Sequence, residues 1–174
     1  MYPFKIFSNI INLICFFLIL NISLFAQESR TNSTIEHLTQ KMFAVWSMNT
    51  PSTIDSIFAK DGIYEDVAGN ILAKGRENIK KLLNETTSAI PDFNIKLLKW
   101  FSSGNKVACQ WIMKGTQTGN MGGIPASGKS FSVRGASIAL IKDGEIIRWT
   151  DYYDSFTFLK QLGVIPSKDP VKNN

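Results

Sequence analysis

Apolar positions follow two regimes along this chain. Up to about residue 90 they recur every three or four residues, and from residue 93 to 153 they alternate with polar ones. Ile35, Leu38, Met42 and Val45 predict a helix over residues 32–46, with Ser33 and Glu36 at capping-box spacing. Thr50-Pro51 matches a cap followed by proline in the first helical turn, and predicts a second, short helix. Its buried side would be Ile54, Ile57 and Phe58, and Asp61-Gly62 would end it. Residues 63–67 predict a short strand that stops near Gly69-Asn70. Gly75-Arg76-Glu77 opens a third helix with Ile79, Leu82 and Leu83 as its apolar stripe, and Pro91 bars its continuation.

The period then changes from 3.6 to 2. Strands are expected over residues 93–101, 106–118, 131–141 and 146–153. Ser102-Ser103-Gly104-Asn105 is a turn cluster, and Lys142-Asp143-Gly144-Glu145 carries a strong hairpin signal. A glycine-rich connection fills residues 119–128. A closing helix is expected over 155–162, with Gly163 suited to its C-cap. Helices first and antiparallel strands afterwards argue an α+β fold, with helices packed on one face of a sheet. Long strands in a meander twist and curl, and helices across the open side leave a concave interior, a natural small-molecule site.

The N-terminus changes the picture of where the protein works. Lys5 precedes an apolar run from Ile10 to Leu20, and Ala26 offers a small residue at its end. This is the pattern of a signal peptide over residues 1–26, followed by the folded domain over 27–165 and a loose polar tail over 166–174. The protein is then expected to be exported, periplasmic or secreted. An uncleaved segment would instead serve as a membrane anchor. Cleavage removes one Lys and no acid, leaving 18 bases against 14 acids. The bases are scattered and do not interleave with aromatics, so no nucleic-acid partner is expected. Cleavage also removes Cys15. Cys109 alone allows no intrachain disulfide, and it reads as a small buried hydrophobe. His37 is the sole histidine, which excludes a His-rich zinc centre and gives no sign of a catalytic triad. Acid-base chemistry must therefore come from carboxylates, Tyr, Lys or water.

Arg148-Trp149-Thr150-Asp151-Tyr152-Tyr153-Asp154 is the chemically densest stretch. Alternation sets Arg148, Thr150, Tyr152 and Asp154 on one face, and Trp149, Asp151 and Tyr153 on the other. A carboxylate walled by aromatics loses hydration, its pKa rises, and it approaches what a general acid or base requires. Asp154 is the first candidate for that role, with Tyr152 orienting the substrate and Trp111 and Trp149 walling the pocket. Asp154 also stands immediately before the last helix, where a plain N-cap is the competing reading. Residue types alone leave open which strand faces point inward.

Gly115-Thr116-Gln117-Thr118-Gly119, Gly122-Gly123-Ile124-Pro125-Ala126-Ser127-Gly128-Lys129, Asp143-Gly144-Glu145-Ile146 and Asp154 through Gln161-Leu162-Gly163 resemble the SnoaL-like polyketide cyclase family. Gly75-Arg76 and Pro91-Asp92 fit the same pattern, and the likeness spans roughly residues 35–165. The resemblance implies the cone-shaped α+β barrel of the nuclear transport factor 2-like superfamily. It further implies intramolecular aldol ring closure without a cofactor or metal, and a homodimer. Counted back from Gln161-Leu162-Gly163, the position similar to the family's acid/base Asp is Asp154. Gln117 falls among the substrate-binding positions where the family commonly has His, and its amide cannot titrate. Two functions follow as expectations. One is a cyclase- or isomerase-type enzyme acting on a small apolar carbonyl compound. The other is a non-catalytic exported protein that binds a small apolar molecule in the same pocket.

Overall fold

The computed structural model describes residues 20–21 and 32–166. The signal segment expected over 1–26 and the tail expected over 166–174 fall outside them, save for Leu20, Asn21 and Pro166. Among the described residues, no helix is long and apolar enough to cross a membrane.

Helix α1 runs over 32–48. Its 3.6-residue period puts Ile35, Leu38, Met42 and Val45 in the core, joined by Phe43 and Trp46. Ser47 ties its end to a strand: the hydroxyl donates to the Ile95 carbonyl and accepts from the Ile95 N–H, each at 3.0 Å. A 3-10 turn, Pro51–Thr53, leads into α2, Ile54–Ile57. Strands β1 (Phe58–Asp66) and β2 (Ile71–Lys74) follow, then α3 (Arg76–Ala89). The meander is β3 (Asn94–Ser103), β4 (Lys106–Thr116), β5 (Ser130–Lys142) and β6 (Glu145–Tyr153), and α4 (Ser155–Leu162) closes the chain. Ile79 and Leu83 of α3 are completely buried, and each such side chain contributes about 1.5–3 kcal/mol.

The six strands form one curved, unclosed sheet in the order β2-β1-β6-β5-β4-β3. The curvature has a local cause. The pairing register shifts between Phe58 and Ile63, between Leu97 and Lys99, and between Leu140 and Ile141. Each such irregularity bends a strand and increases its twist. The β5–β6 hairpin turns on Asp143 and Gly144, at φ 51° and 78°, the left-handed pair that a tight two-residue turn requires.

Three expectations change. The second helix does not continue through Phe58 to Asp61-Gly62: it ends at Ile57, and β1 begins at Phe58, which pairs with Ile146 of β6. Ile54, Ile57 and Phe58 fit a helical stripe, but burial against β6 decides the outcome at Phe58. The strand expected over 63–67 is therefore longer, and it pairs with β2, a short edge strand that the alternation does not reveal. The sheet is also not wholly antiparallel, because β1 and β6 run parallel.

Candidate active site

The parallel β1–β6 pair builds the site. Its register sets Tyr64 beside Trp149 and Asp66 beside Asp151. In the hollow above them lies a cavity of about 410 Å³, within the usual range for small-molecule sites. Trp111, Tyr64, Tyr153 and Asp151 line it from the sheet, Trp46 from α1 and Phe158 from α4. Asp66, Ala68 and Gly69 reach it from the β1–β2 hairpin, and Met121, Gly122 and Ile124 from the glycine-rich loop.

Asp151 is 6% exposed and receives three donors. The Tyr64 hydroxyl donates to its Oδ2 at 2.5 Å, the Trp149 indole N–H to its Oδ1 at 2.7 Å, and the Ser137 hydroxyl also to Oδ1. Ser137 is held in turn by the Trp111 indole N–H at 2.7 Å. The donors favour the carboxylate, yet burial outweighs them and, with the Asp66 charge adding to it, pushes Asp151 up to about 6. Burial likewise raises Tyr64 well above the ordinary phenol value, with the Asp151 charge adding to it. Asp66 accepts from the Gly69 N–H at 2.8 Å and from the Tyr153 hydroxyl at 3.1 Å. Burial raises Asp66 against those donors, and raises Tyr153 with help from the Asp66 charge. The assembly is a carboxyl poised to exchange protons near neutrality, flanked by phenols that remain protonated donors.

The residues anticipated from the sequence divide. Trp111 lines the cavity and supports Asp151 through Ser137. Trp149 is buried behind Asp151, edge-on to Phe43 at 5.8 Å, and positions the carboxyl instead of walling the pocket. Tyr152 is 44% exposed on the opposite face of the sheet. Asp154 does not project into the hollow. The strand ends at Tyr153, and Asp154 caps α4, accepting from the Thr157 N–H at 2.9 Å and from the Thr157 hydroxyl. These bonds hold its exposed carboxyl below the ordinary value, the opposite of what a proton carrier at neutral pH needs. Gln117 is buried outside the cavity lining. Its side-chain amide donates to the carbonyls of Gly119, Ile124 and Pro125 at 3.1–3.3 Å and so shapes the loop that covers the cavity.

Tyr64, Asp66 and Ser137 escape the sequence reading. The available signal is alternation in residues 63–67, which sets Tyr64 and Asp66 on one face. Cys109 is buried and pushed up to about 11 by burial, which leaves it a poor nucleophile. His37 is exposed on α1. Among the described residues, no group of three or more His, Cys, Asp or Glu is arranged to hold a metal ion.

The model of the SnoaL-like polyketide cyclases matches residues 36–162. The chain belongs to this family. No curated protein matches it. Among solved structures, TsrD from Streptomyces laurentii is 26% identical, with a TM-score of 0.69 over 76% of this chain and 97% of its own. A protein from Catenulispora acidiphila with a ketosteroid isomerase-like fold, solved in complex with trimethylamine, is 26% identical, with a TM-score of 0.66 over 74% and 93%. A protein from Jannaschia described as SnoaL-like is 15% identical at a TM-score of 0.69, over 77% and 94%, and shows the shared fold alone. In this SnoaL-like chain the carboxyl at the bottom of the hollow is Asp151, three residues before the helix cap.

Proposed function

We propose that this protein is a cofactor-independent cyclase- or isomerase-type enzyme, with Asp151 as the general acid/base acting on a small, largely apolar carbonyl compound. The observation that carries this reading is a carboxyl with a pKa of about 6, buried in the wall of an aromatic-lined cavity. Membership of the SnoaL-like polyketide cyclase family supports it. The Catenulispora relative's complex with trimethylamine supports a small organic guest.

The chemistry follows from the hydrogen bonds. Ionised Asp151 takes a proton from the carbon next to a substrate carbonyl; the C–H electron pair becomes a C=C bond and the C=O π pair moves onto the oxygen. Protonating Asp151 removes the anionic acceptor of the Tyr64 hydroxyl, which then turns to the developing enolate oxygen. In ring closure the enolate carbon attacks a second carbonyl of the same molecule, and the resulting alkoxide recovers the proton from Asp151. In isomerisation the proton returns to a different carbon. Trp149 and Ser137 keep the carboxyl oriented throughout.

The proton-abstraction half can be measured without the native substrate. Deuterium uptake beside the carbonyl of 2-acetylnaphthalene, followed by NMR in heavy water, should be accelerated by the wild type and fall to the buffer rate with Asp151→Asn. Its rate should rise with pH through about 6, as the base ionises. Equal exchange by wild type and Asp151→Asn would remove Asp151 from the mechanism.

A further inference from the structure

The cavity carries charge of one sign. The chain has 19 Lys and Arg against 14 Asp and Glu. Yet the described residues lining the cavity include Asp66, Glu85 and Asp151 and no Lys, Arg or His. Glu85 has a cation near it, Lys81 at 3.8 Å. Among the described residues, no ion pair within 4.0 Å reaches Asp66 or Asp151. Their hydrogen-bond donors are all neutral: Gly69 and Tyr153 for Asp66, and Tyr64, Ser137 and Trp149 for Asp151. Proteins rarely leave buried carboxylates without a cation, because the desolvation cost then has no compensation. Here one buried carboxyl, Asp151, and one half-buried, Asp66, are partners across adjacent strands and face one cavity. That cavity is also walled by Trp46, Phe93, Trp111 and Phe158, and aromatic faces attract cations.

We propose that the ligand of this cavity carries a protonated amine or quaternary ammonium group, that Asp66 is its principal counter-ion, and that anionic ligands are rejected. The proposal rests on the reading of the cavity as the ligand site, and deepens it by naming the ligand class. Asp66 takes this role because it is half-buried at the hairpin, where holding a charge costs less than at the deeper Asp151. Asp151 remains the proton carrier. The other titratable groups facing the pair do not supply the cation. Tyr64 and Tyr153 are raised and stay neutral, as does Cys109 at about 11, and Glu85 on α3 adds a further acid. A cation entering the cavity favours the ionised carboxyls, so its affinity must grow as pH rises through about 6.

Three probes of one shape separate the possibilities: choline, 3,3-dimethyl-1-butanol, which replaces its nitrogen with carbon, and 3,3-dimethylbutanoate. Titration of the full chain by calorimetry at pH 7.5 should show choline binding about tenfold more tightly than the alcohol, and the butanoate not binding. The preference for choline should shrink at pH 5. Asp66→Asn should weaken choline about tenfold and leave the alcohol within about twofold, while Asp66→Glu, which keeps the charge, retains the preference. Saturable binding of the alcohol with no advantage for choline would overturn the cation proposal and keep the cavity as a ligand site. Binding of none of the three would overturn both. Choline affinity unchanged in Asp66→Asn would remove Asp66 as counter-ion.

Discussion

Replacing Asp151 by Asn tests the central claim about the site through stability, with no substrate needed. The folded protein holds this carboxyl at about 6 instead of its ordinary 3.8, mainly through burial. At about 1.4 kcal/mol per pKa unit, the rise amounts to at most about 3 kcal/mol. The sign follows from linkage. A raised acid binds its proton more tightly in the folded state, so its favourable contribution is complete below pH 3.8 and is lost as pH rises through about 6. Asn has nearly the same shape and cannot ionise. Its side-chain oxygen can still accept from Ser137 and Trp149, and its NH₂ can donate to a reoriented Tyr64 hydroxyl. The variant should therefore match the wild type near pH 4 and exceed it by about 1–3 kcal/mol at pH 7.5. Urea denaturation followed by Trp fluorescence across that range measures the difference. Asp92 is held below its ordinary value by its bonds to Thr116, and Asp154 by its bonds to Thr157, so their stabilising contributions are lost as pH falls. They do so equally in both proteins and cancel in the comparison. Parallel pH profiles for wild type and Asp151→Asn would refute the claim that the site holds a carboxyl with a raised pKa.

Other substitutions probe the supports of the site. Gly135 lies opposite Trp111 in the β4–β5 pair, and a Cβ there would come within 2.2 Å of the indole. Gly135→Ala should cost about 1–3 kcal/mol in urea denaturation, because Trp111 must move and release its bond to Ser137. Asp154→Ala removes the cap of α4 and should lower the melting temperature in a thermal scan, less than Gly135→Ala does, with naphthyl ketone exchange unchanged. Loss of that exchange would return Asp154 to the chemistry.

How much of this was legible beforehand differs between the frame and the site, for a physical reason. The meander and α1, α3 and α4 write themselves as local periods, because one face of each element is buried and the other is not. The end of α2 could not be read this way, since Ile54, Ile57 and Phe58 suit a helix stripe as well as a helix-to-strand junction. Strand β2 was hidden for a different reason: Ile71 and Leu72 are both exposed, so nothing in its four residues alternates. Within the site, alternation along 148–154 does set Asp151 on the face shared with Trp149 and Tyr153. The preference for Asp154 rests on its aromatic neighbours and on counting back from Gln161-Leu162-Gly163, and a carboxylate directly before a helix satisfies capping chemistry equally well.

The partners of Asp151 are the least legible part. Tyr64 lies 87 positions away in sequence, and Asp66 reaches Asp151 only through the parallel register of β1 on β6. No local period encodes that register. It depends on the irregularity between Phe58 and Ile63, where a Cβ at Gly62 would meet the Phe58 ring at 2.9 Å and the Ile146 carbonyl at 3.0 Å. A one-residue slip at that point would turn Tyr64 and Asp66 to the outer face and Ile63 and Glu65 inward. Asp151 would then lose its phenol and its neighbouring charge, while the sheet kept its strand order. In this fold the chemistry of the cavity is thus set by the pairing of one glycine-bearing strand, more than by any run of residues beside the catalytic candidate.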